Sequence, residues 1–155
     1  MIFYMKLYNW IISTVFSIIF SRAFGGFGAK SRIVSPVAIE GARNIFIGDG
    51  VFVAAHSCLA AVPLTNAKSC QIVMGDGCKI GRFNHIYATN SIIFEKNVLT
   101  ANGVYISDNL HGYENPEIPI LFQPIVQKAS VVIGEGSWLG HNVCVIGAKI
   151  GRPLS

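Results

Sequence analysis

Apolar side chains recur at every sixth residue along most of this chain. From Phe94 the sixes read Phe94-Glu-Lys-Asn-Val-Leu, Thr100-Ala-Asn-Gly-Val-Tyr and Ile106-Ser-Asp-Asn-Leu-His111. Two opening hexads start at Ile33 and Ile39. Sets of three start at Ile47, Val53 and Leu59, at Met74, Ile80 and Ile86, and at Ile133, Leu139 and Val145. A helix repeats at three and four residues and an ordinary strand at two, so a period of six fits neither. It fits a short strand followed by a tight corner, with three such units making one triangular coil. Coils stack at the inter-strand spacing of about 4.8 Å, with the leading aliphatic of each hexad pointing inward. No coil buries its apolar face without a neighbour, so stacking is obligatory. Gly48, Gly75, Gly81, Gly134 and Gly140 hold the second place of their hexads, where the pattern predicts glycine for backbone freedom at the corner. The phase slips at about 65–73, 92–93 and 112–132 read as corner insertions.

The largest slip interrupts the pattern most. From Gly112 to Ser130 there is no period, and three of the six prolines fall there. The stretch 112–130 is therefore expected to protrude as a loop, and its Tyr113, Leu121 and Phe122 need a surface to cover, as an arm reaching over a neighbour would provide. His111 holds the last place of its hexad and closes a coil at the mouth of this loop. With the loop excised, the coil carrying Trp138 stacks on it. A rigid repeat that ejects one irregular loop beside a histidine is where chemistry is expected.

Residues 1–24 follow another rule. They are apolar apart from Lys6, Arg22 and a few small polar residues, and the polar residues from Ser13 to Ser17 fall near one helical face. Three readings stay open: a helix docked on the domain or lying in a membrane interface, a membrane anchor, or a cleaved signal. Gly25-Gly-Phe-Gly28 reads as a linker or cap. The expected organisation is an apolar N-terminal helix and linker over 1–30 and a β-helix domain over 31–155.

Composition narrows the partners. Hydrophobic residues make up 52% of the 155 residues and charged ones 13%, which excludes a disordered chain. The net charge of +4 is modest, and part of the excess lies at the N-terminal end. No Lys/Arg run with interleaved aromatics points to nucleic acid. Cys58, Cys70, Cys78 and Cys144 form no CxxC pair and no metal-ligand spacing, and read as reduced structural thiols of a cytosolic protein. The four histidines are 29, 26 and 30 residues apart, which lacks the close pair that a histidine zinc site uses.

The residues that can carry chemistry are few. A neutral imidazole at His111 suits proton abstraction near neutral pH, although a histidine there could also merely cap the coil. Asp108 could orient that ring, bind an acceptor or shape the corner, and Asn109 has similar standing. Asn84 and His85, one coil earlier, read either as acceptor contacts or as exposed corner residues. His56 reads as a surface residue, and His141 lies in the coil after the loop, where it could line a groove. Trp138 occupies a variable, outward place and needs a cover, either a ligand or another subunit. Gly140 and the Ile146-Gly-Ala148 run let backbone approach a ligand closely. No GxxxxGK loop is present, so the sequence carries no signature of nucleotide hydrolysis.

Across about residues 33–151 the repeat resembles the left-handed parallel β-helix of hexapeptide-repeat acyltransferases. The match is most specific in Ile106-Ser-Asp-Asn-Leu-His111-Gly-Tyr and in Ile133-Gly-Glu-Gly-Ser-Trp-Leu-Gly-His-Asn-Val. Those segments are similar to the subgroup that O-acetylates sugars of bacterial surface polysaccharides, alongside galactoside and maltose acetyltransferases. The resemblance implies an all-β fold, a left-handed parallel β-helix of about four to five coils, assembled as a homotrimer. It implies acetyl-CoA as acyl donor in a groove between neighbouring β-helices, with no metal. It assigns His111 as general base with Asp108 beside it. Trp138, Gly140, Gly147 and Ala148 would lie along the cofactor, and Asn84, His85 and Asn109 near the saccharide acceptor.

One feature departs from that family. Its members continue with further hexads where this chain reads Ile150-Gly-Arg-Pro-Leu-Ser155. The sequence therefore leaves two alternatives to sugar O-acetylation open: a shortened, non-catalytic β-helix module, or N-acetylation of an amino sugar. The expected location is cytoplasmic, at the inner face of the cytoplasmic membrane through residues 1–24, where lipid-linked glycans are built.

Overall fold

The apolar sixes fall in short strands that stack into three parallel sheets in the computed structural model, which describes residues 2–151. The first coil comprises β1 (Gly26–Phe27), β2 (Arg32–Ile33) and β3 (Ala38–Glu40). The second comprises β4 (Ile45–Ile47), β5 (Phe52–Val53) and β6 (Cys58–Ala61), and the third β7 (Gln71–Met74), β8 (Lys79–Ile80) and β9 (His85–Ala88). The fourth comprises β10 (Ser91–Phe94), β11 (Leu99–Thr100) and β12 (Tyr105–Ser107). A two-stranded hairpin, β13 (Asn109–His111) and β14 (Ile125–Gln127), then leaves the solenoid. The fifth coil comprises β15 (Val131–Ile133), β16 (Trp138–Leu139) and β17 (Cys144–Ile146), and β18 (Lys149–Ile150) enters a sixth. Face A stacks β1-β4-β7-β10-β15-β18, face B β2-β5-β8-β11-β16 and face C β3-β6-β9-β12-β17.

The register is the one the hexads predict. Ile47, Met74, Phe94 and Ile133 are partners on face A, and Leu59, Ile86, Ile106 and Val145 on face C. All eight are buried, and each fully buried aliphatic contributes roughly 1.5–3 kcal/mol. The repeat begins earlier than its first readable hexad. Gly26-Phe27 pairs with Phe46-Ile47, so the stretch read as a linker already supplies the first strand of face A.

Where a second-place glycine is needed, the reason is other than the expected one. Positive φ falls at the fourth place of the hexad, at Gly50, Gly77, Asn97 and Gly136 between faces A and B. It recurs at His56, Phe83, Gly103 and Asn142 between faces B and C. At Gly48, Gly75 and Gly81 the next coil leaves no room: a Cβ on Gly75 would lie 2.9 Å from the backbone carbon of Glu95 and the nitrogen of Lys96, whereas one on Gly140 would meet only Val143 at 3.9 Å. Acidic side chains tie the A–B corners together. Asp49 accepts from the Ala29 amide at 2.7 Å, Asp76 from the Asp49 amide at 2.9 Å, and Glu95 from the Glu135 amide at 2.9 Å.

The slips all lie at the corner between faces C and A. The middle one belongs at Thr89-Asn90, because positions 92 and 93 are inside β10. The last is an antiparallel hairpin, whose far end, with a short 3₁₀ turn at Ile120–Phe122, is exposed. Helix α1 (Ile2–Phe20) contains neither Gly nor Pro and packs on β2 at the start of the solenoid, with Phe16 against the core. No helix among the described residues is long and apolar enough to cross a membrane.

Candidate active site

The C–A corner of the fourth coil is built on one buried carboxylate. Asp108 follows β12 and is fully buried. Its Oδ1 accepts from the Thr89 amide at 2.8 Å, the Thr89 hydroxyl at 3.0 Å and the Asn109 side-chain amide at 3.1 Å. Its Oδ2 accepts from the amides of Asn90 at 2.8 Å and Ser91 at 2.7 Å. Three successive main-chain N–H groups thus converge on one side chain, which fixes the corner that joins the third and fourth coils. The Asp108 carbonyl accepts from Gln127 Nε2 and from the Lys128 amide, both at 2.7 Å, so both strands of the hairpin are rooted at the same residue. Gln127 Oε1 accepts in turn from the Thr65 hydroxyl at 2.6 Å.

His111 sits on the hairpin stem, opposite Ile125, rather than closing the coil. It is exposed, and no hydrogen bond to its imidazole forms within the described chain. Asp108 does not orient it, because the carboxylate is turned inward onto residues 89–91. Both ring nitrogens are therefore open to a ligand, on a backbone whose root is held rigidly. Asn109 is buried beside the clamp, where its side-chain amide reaches Asp108 and the Tyr87 carbonyl at 3.4 Å.

The residues of the preceding coil divide between inside and outside. Asn84 is buried: its Nδ2 donates to the carbonyls of Arg82 and Ala101, and its Oδ1 accepts from the Thr100 hydroxyl at 2.7 Å. It holds two coils together from within and presents nothing to a ligand. His85 is exposed on face C, stacked on Tyr105 at 5.5 Å between ring centroids and edge-on to Tyr87. Tyr87 and Tyr105, which the sequence reading did not single out, make this face an aromatic strip that leads to the Asp108 corner. Alternation was the available signal, since Tyr105 and His85 share the sixth place of consecutive sets. Burial, and then the nearby Glu40 carboxylate, push the Tyr87 hydroxyl up. Cys70, on Ala88 O at 3.2 Å, is pushed up to about 11, first by burial and then by Asp108, so it stays a thiol at neutral pH.

The residues expected along the cofactor divide too. Trp138 is 70% exposed on face B, beside the half-exposed Leu99. Gly140 begins the B–C corner above it. Gly147, at φ +55°, and Ala148 lie at the C–A corner of the fifth coil, where the Gly147 amide donates to Ser107 O at 2.9 Å. Asp108, Asn109, Gly147 and Ala148 thus lie at the C–A corners of adjacent coils, with His111 on the hairpin that leaves the first of them. Trp138 and Gly140 are in the adjacent coil, as expected, but on another face of the same chain. His56 stacks on Phe83 at 5.2 Å and His141 is exposed at a corner. Among the described residues no group of three or more His, Cys, Asp or Glu side chains is placed to hold a metal.

No family model matches the sequence. Over 91 residues the chain is 31% identical to WbbJ of Escherichia coli (strain K12), assigned by its name to lipopolysaccharide biosynthesis as an O-acetyl transferase; 54% of this chain is covered. The chain spans about half of that relative, 46% of its length. Among solved structures it is similar to AntD, an N-acyltransferase from Bacillus cereus, in complex with dTDP and 3-hydroxybutyryl-CoA. The TM-score is 0.54 at 17% identity, over 83% of this chain and 70% of that one. A second AntD structure, a mutant with dTDP and coenzyme A, gives a TM-score of 0.53 over 86% and 74%. The likeness to AntD is one of fold, a β-solenoid.

Proposed function

We propose that this chain is an acetyl-CoA-dependent O-acetyltransferase acting on a sugar hydroxyl of a surface polysaccharide or its precursor. The observation that carries the reading is His111: an exposed imidazole with both nitrogens unengaged, on a hairpin rooted in a buried carboxylate clamp. The name of WbbJ supports oxygen as the accepting atom. The imidazole takes the proton of the sugar hydroxyl as its oxygen attacks the thioester carbonyl, and returns that proton to the departing thiolate as the C–S bond breaks. Such a base is typically worth about 10²–10⁴ in rate. Main-chain amides near Gly147 are the candidates for holding the developing oxyanion.

The reading requires more than one copy. His111 and Trp138 occupy different faces of one chain, so a complete site joins the C–A corner of one protomer to face B of another. A homotrimer does this three times over. The exposed Leu99 and Trp138 on face B, and the exposed Tyr113, Leu121 and Phe122 on the hairpin, are the surfaces such an assembly would cover. In this arrangement Trp138, Gly140 and Ala148 line the donor groove. His85 and Tyr105 border the acceptor, with Asn109 shaping the floor.

The test is thiol release from acetyl-CoA with a panel of methyl glycosides, with the exposed Cys144 of the protein subtracted as an enzyme-only blank. His111→Ala should lower acceptor-dependent release by about 10²–10⁴ while circular dichroism and oligomeric state stay unchanged. Undiminished transfer in the variant would remove His111 from the mechanism. Mass analysis of the product separates an ester from an amide.

A further inference from the structure

Helix α1 is amphipathic the wrong way round for a helix in water. A surface helix normally turns its apolar stripe inward and its polar residues to solvent. Here Asn9, Ser13 and Ser17 lie on the side facing the solenoid, and Ser13 is fully buried. The serine hydroxyls satisfy themselves within the helix, Ser13 on Trp10 O and Ser17 on Ser13 O. The opposite face carries Tyr4, Leu7, Tyr8, Ile11, Val15, Ile18 and Ile19, all exposed, with Tyr4 at 74% and Ile18 at 72%. Small polar residues let the helix lie close on β2 with Phe16 packed on the core, and these exposed apolar residues are left pointing away.

The charge around this face is one-sided. Residues 1–39 contain four Lys or Arg and no Asp or Glu, and the rest of the chain is balanced, so the whole net charge of +4 belongs to this end. Lys30 and Arg32 line the groove on one side of the helix with Trp10, Ser17 and Ile18. Arg32 and Arg82 line the other with Leu7 and Trp10. No acidic side chain lines either groove. Arg22 follows the helix directly.

We propose that α1 is an in-plane membrane anchor, which seats its apolar face at the acyl boundary of an anionic bilayer while Arg22, Lys30, Arg32 and Arg82 meet the headgroup phosphates. The face from Tyr4 to Ile19 is about 22 Å long at 1.5 Å per residue, too short for the roughly 30 Å hydrocarbon core, which favours lying in the surface over crossing it. Tyr4, Tyr8 and Trp10 are the aromatic types that settle at that boundary. A second copy is the poorer occupant, because pairing two such faces brings cation against cation. This inference does not rest on the acetyl-transfer reading, and its test involves no coenzyme A.

The experiment is co-flotation of the purified full chain with vesicles of phosphatidylethanolamine and phosphatidylglycerol, and with vesicles of phosphatidylcholine alone. The chain should float with the anionic vesicles and be released by salt. The double variant Ile11→Glu with Ile18→Glu alters exposed positions only and should bind at least about a hundredfold more weakly with unchanged circular dichroism. Arg22→Gln with Lys30→Gln should lose the preference for anionic lipid. Flotation that survives the glutamates overturns the proposal. So does failure of the parent chain to float; a self-association that the glutamates abolish would then make the face an interface between copies.

Discussion

Asp108→Ala should unfold the C–A corner, and the cost follows from the hydrogen bonds it removes. The carboxylate accepts from three main-chain amides, one hydroxyl and one side-chain amide. The alanine variant leaves the buried Thr89 amide and the half-buried Asn90 and Ser91 amides without their acceptor. Each such orphan costs about 1–3 kcal/mol, more when the lost partner is charged. Water can reach part of this corner once the side chain is gone, so the sum is smaller than three independent losses. A destabilisation of about 3–5 kcal/mol is expected, a large share of the 5–15 kcal/mol that holds a typical domain together. Asp108→Asn retains one acceptor oxygen and turns an N–H₂ group toward donors on the other side, so it should recover only about half of the loss. Urea unfolding followed by far-ultraviolet circular dichroism measures both. If Asp108 instead acts by orienting His111, alanine would lower the rate and leave stability within about 0.5 kcal/mol of the parent. That result, or full rescue by asparagine, would refute the clamp.

Two further perturbations test the coil geometry. Gly75→Ala forces a Cβ against the backbone of Glu95 and Lys96 and should cost about 1–3 kcal/mol. Gly140→Ala, whose nearest contact would be Val143 at 3.9 Å, should melt within a degree or two of the parent. Asp76 is held below the usual carboxylate range by the Asp49 amide and then by Lys96, 3.1 Å away. Its contribution is therefore present above the ordinary carboxylate value and lost as pH falls through the lowered one. The gap in melting temperature between the parent and Asp76→Asn should be open at neutral pH and close in acid, whereas a gap that widens in acid would contradict this sign.

Legibility followed the period. The hexads identify inward positions because a strand fixes side-chain direction, and Met74, Phe94, Ile106 and Ile133 all lie where that rule puts them. The same rule, applied to the fifth place, would have found Asn84, which aligns with the buried Ser57 and Val104 and is a polar residue inside the core. Phe27 escaped because a single two-residue strand among glycines carries no period. The crowding at Gly48, Gly75 and Gly81 depends on the next coil, which a local pattern does not contain. His111 lies on a hairpin strand, whereas the hexads put it at the close of a coil, since nothing in the spacing of 112–130 signals an antiparallel return. The inverted face of α1 was half visible in the clustering of Ser13 to Ser17; only the docked helix tells which side meets the protein.

An acetyl-CoA-dependent transferase built on this solenoid should bind its donor where a C–A corner meets face B. Isothermal titration of acetyl-CoA into the purified full chain tests it most directly, with Trp138→Ala, exposed and free of the core, as the paired variant. Binding should saturate below millimolar donor and weaken at least about tenfold in the variant. No binding at millimolar acetyl-CoA would contradict it and leave a β-solenoid that serves as a structural module.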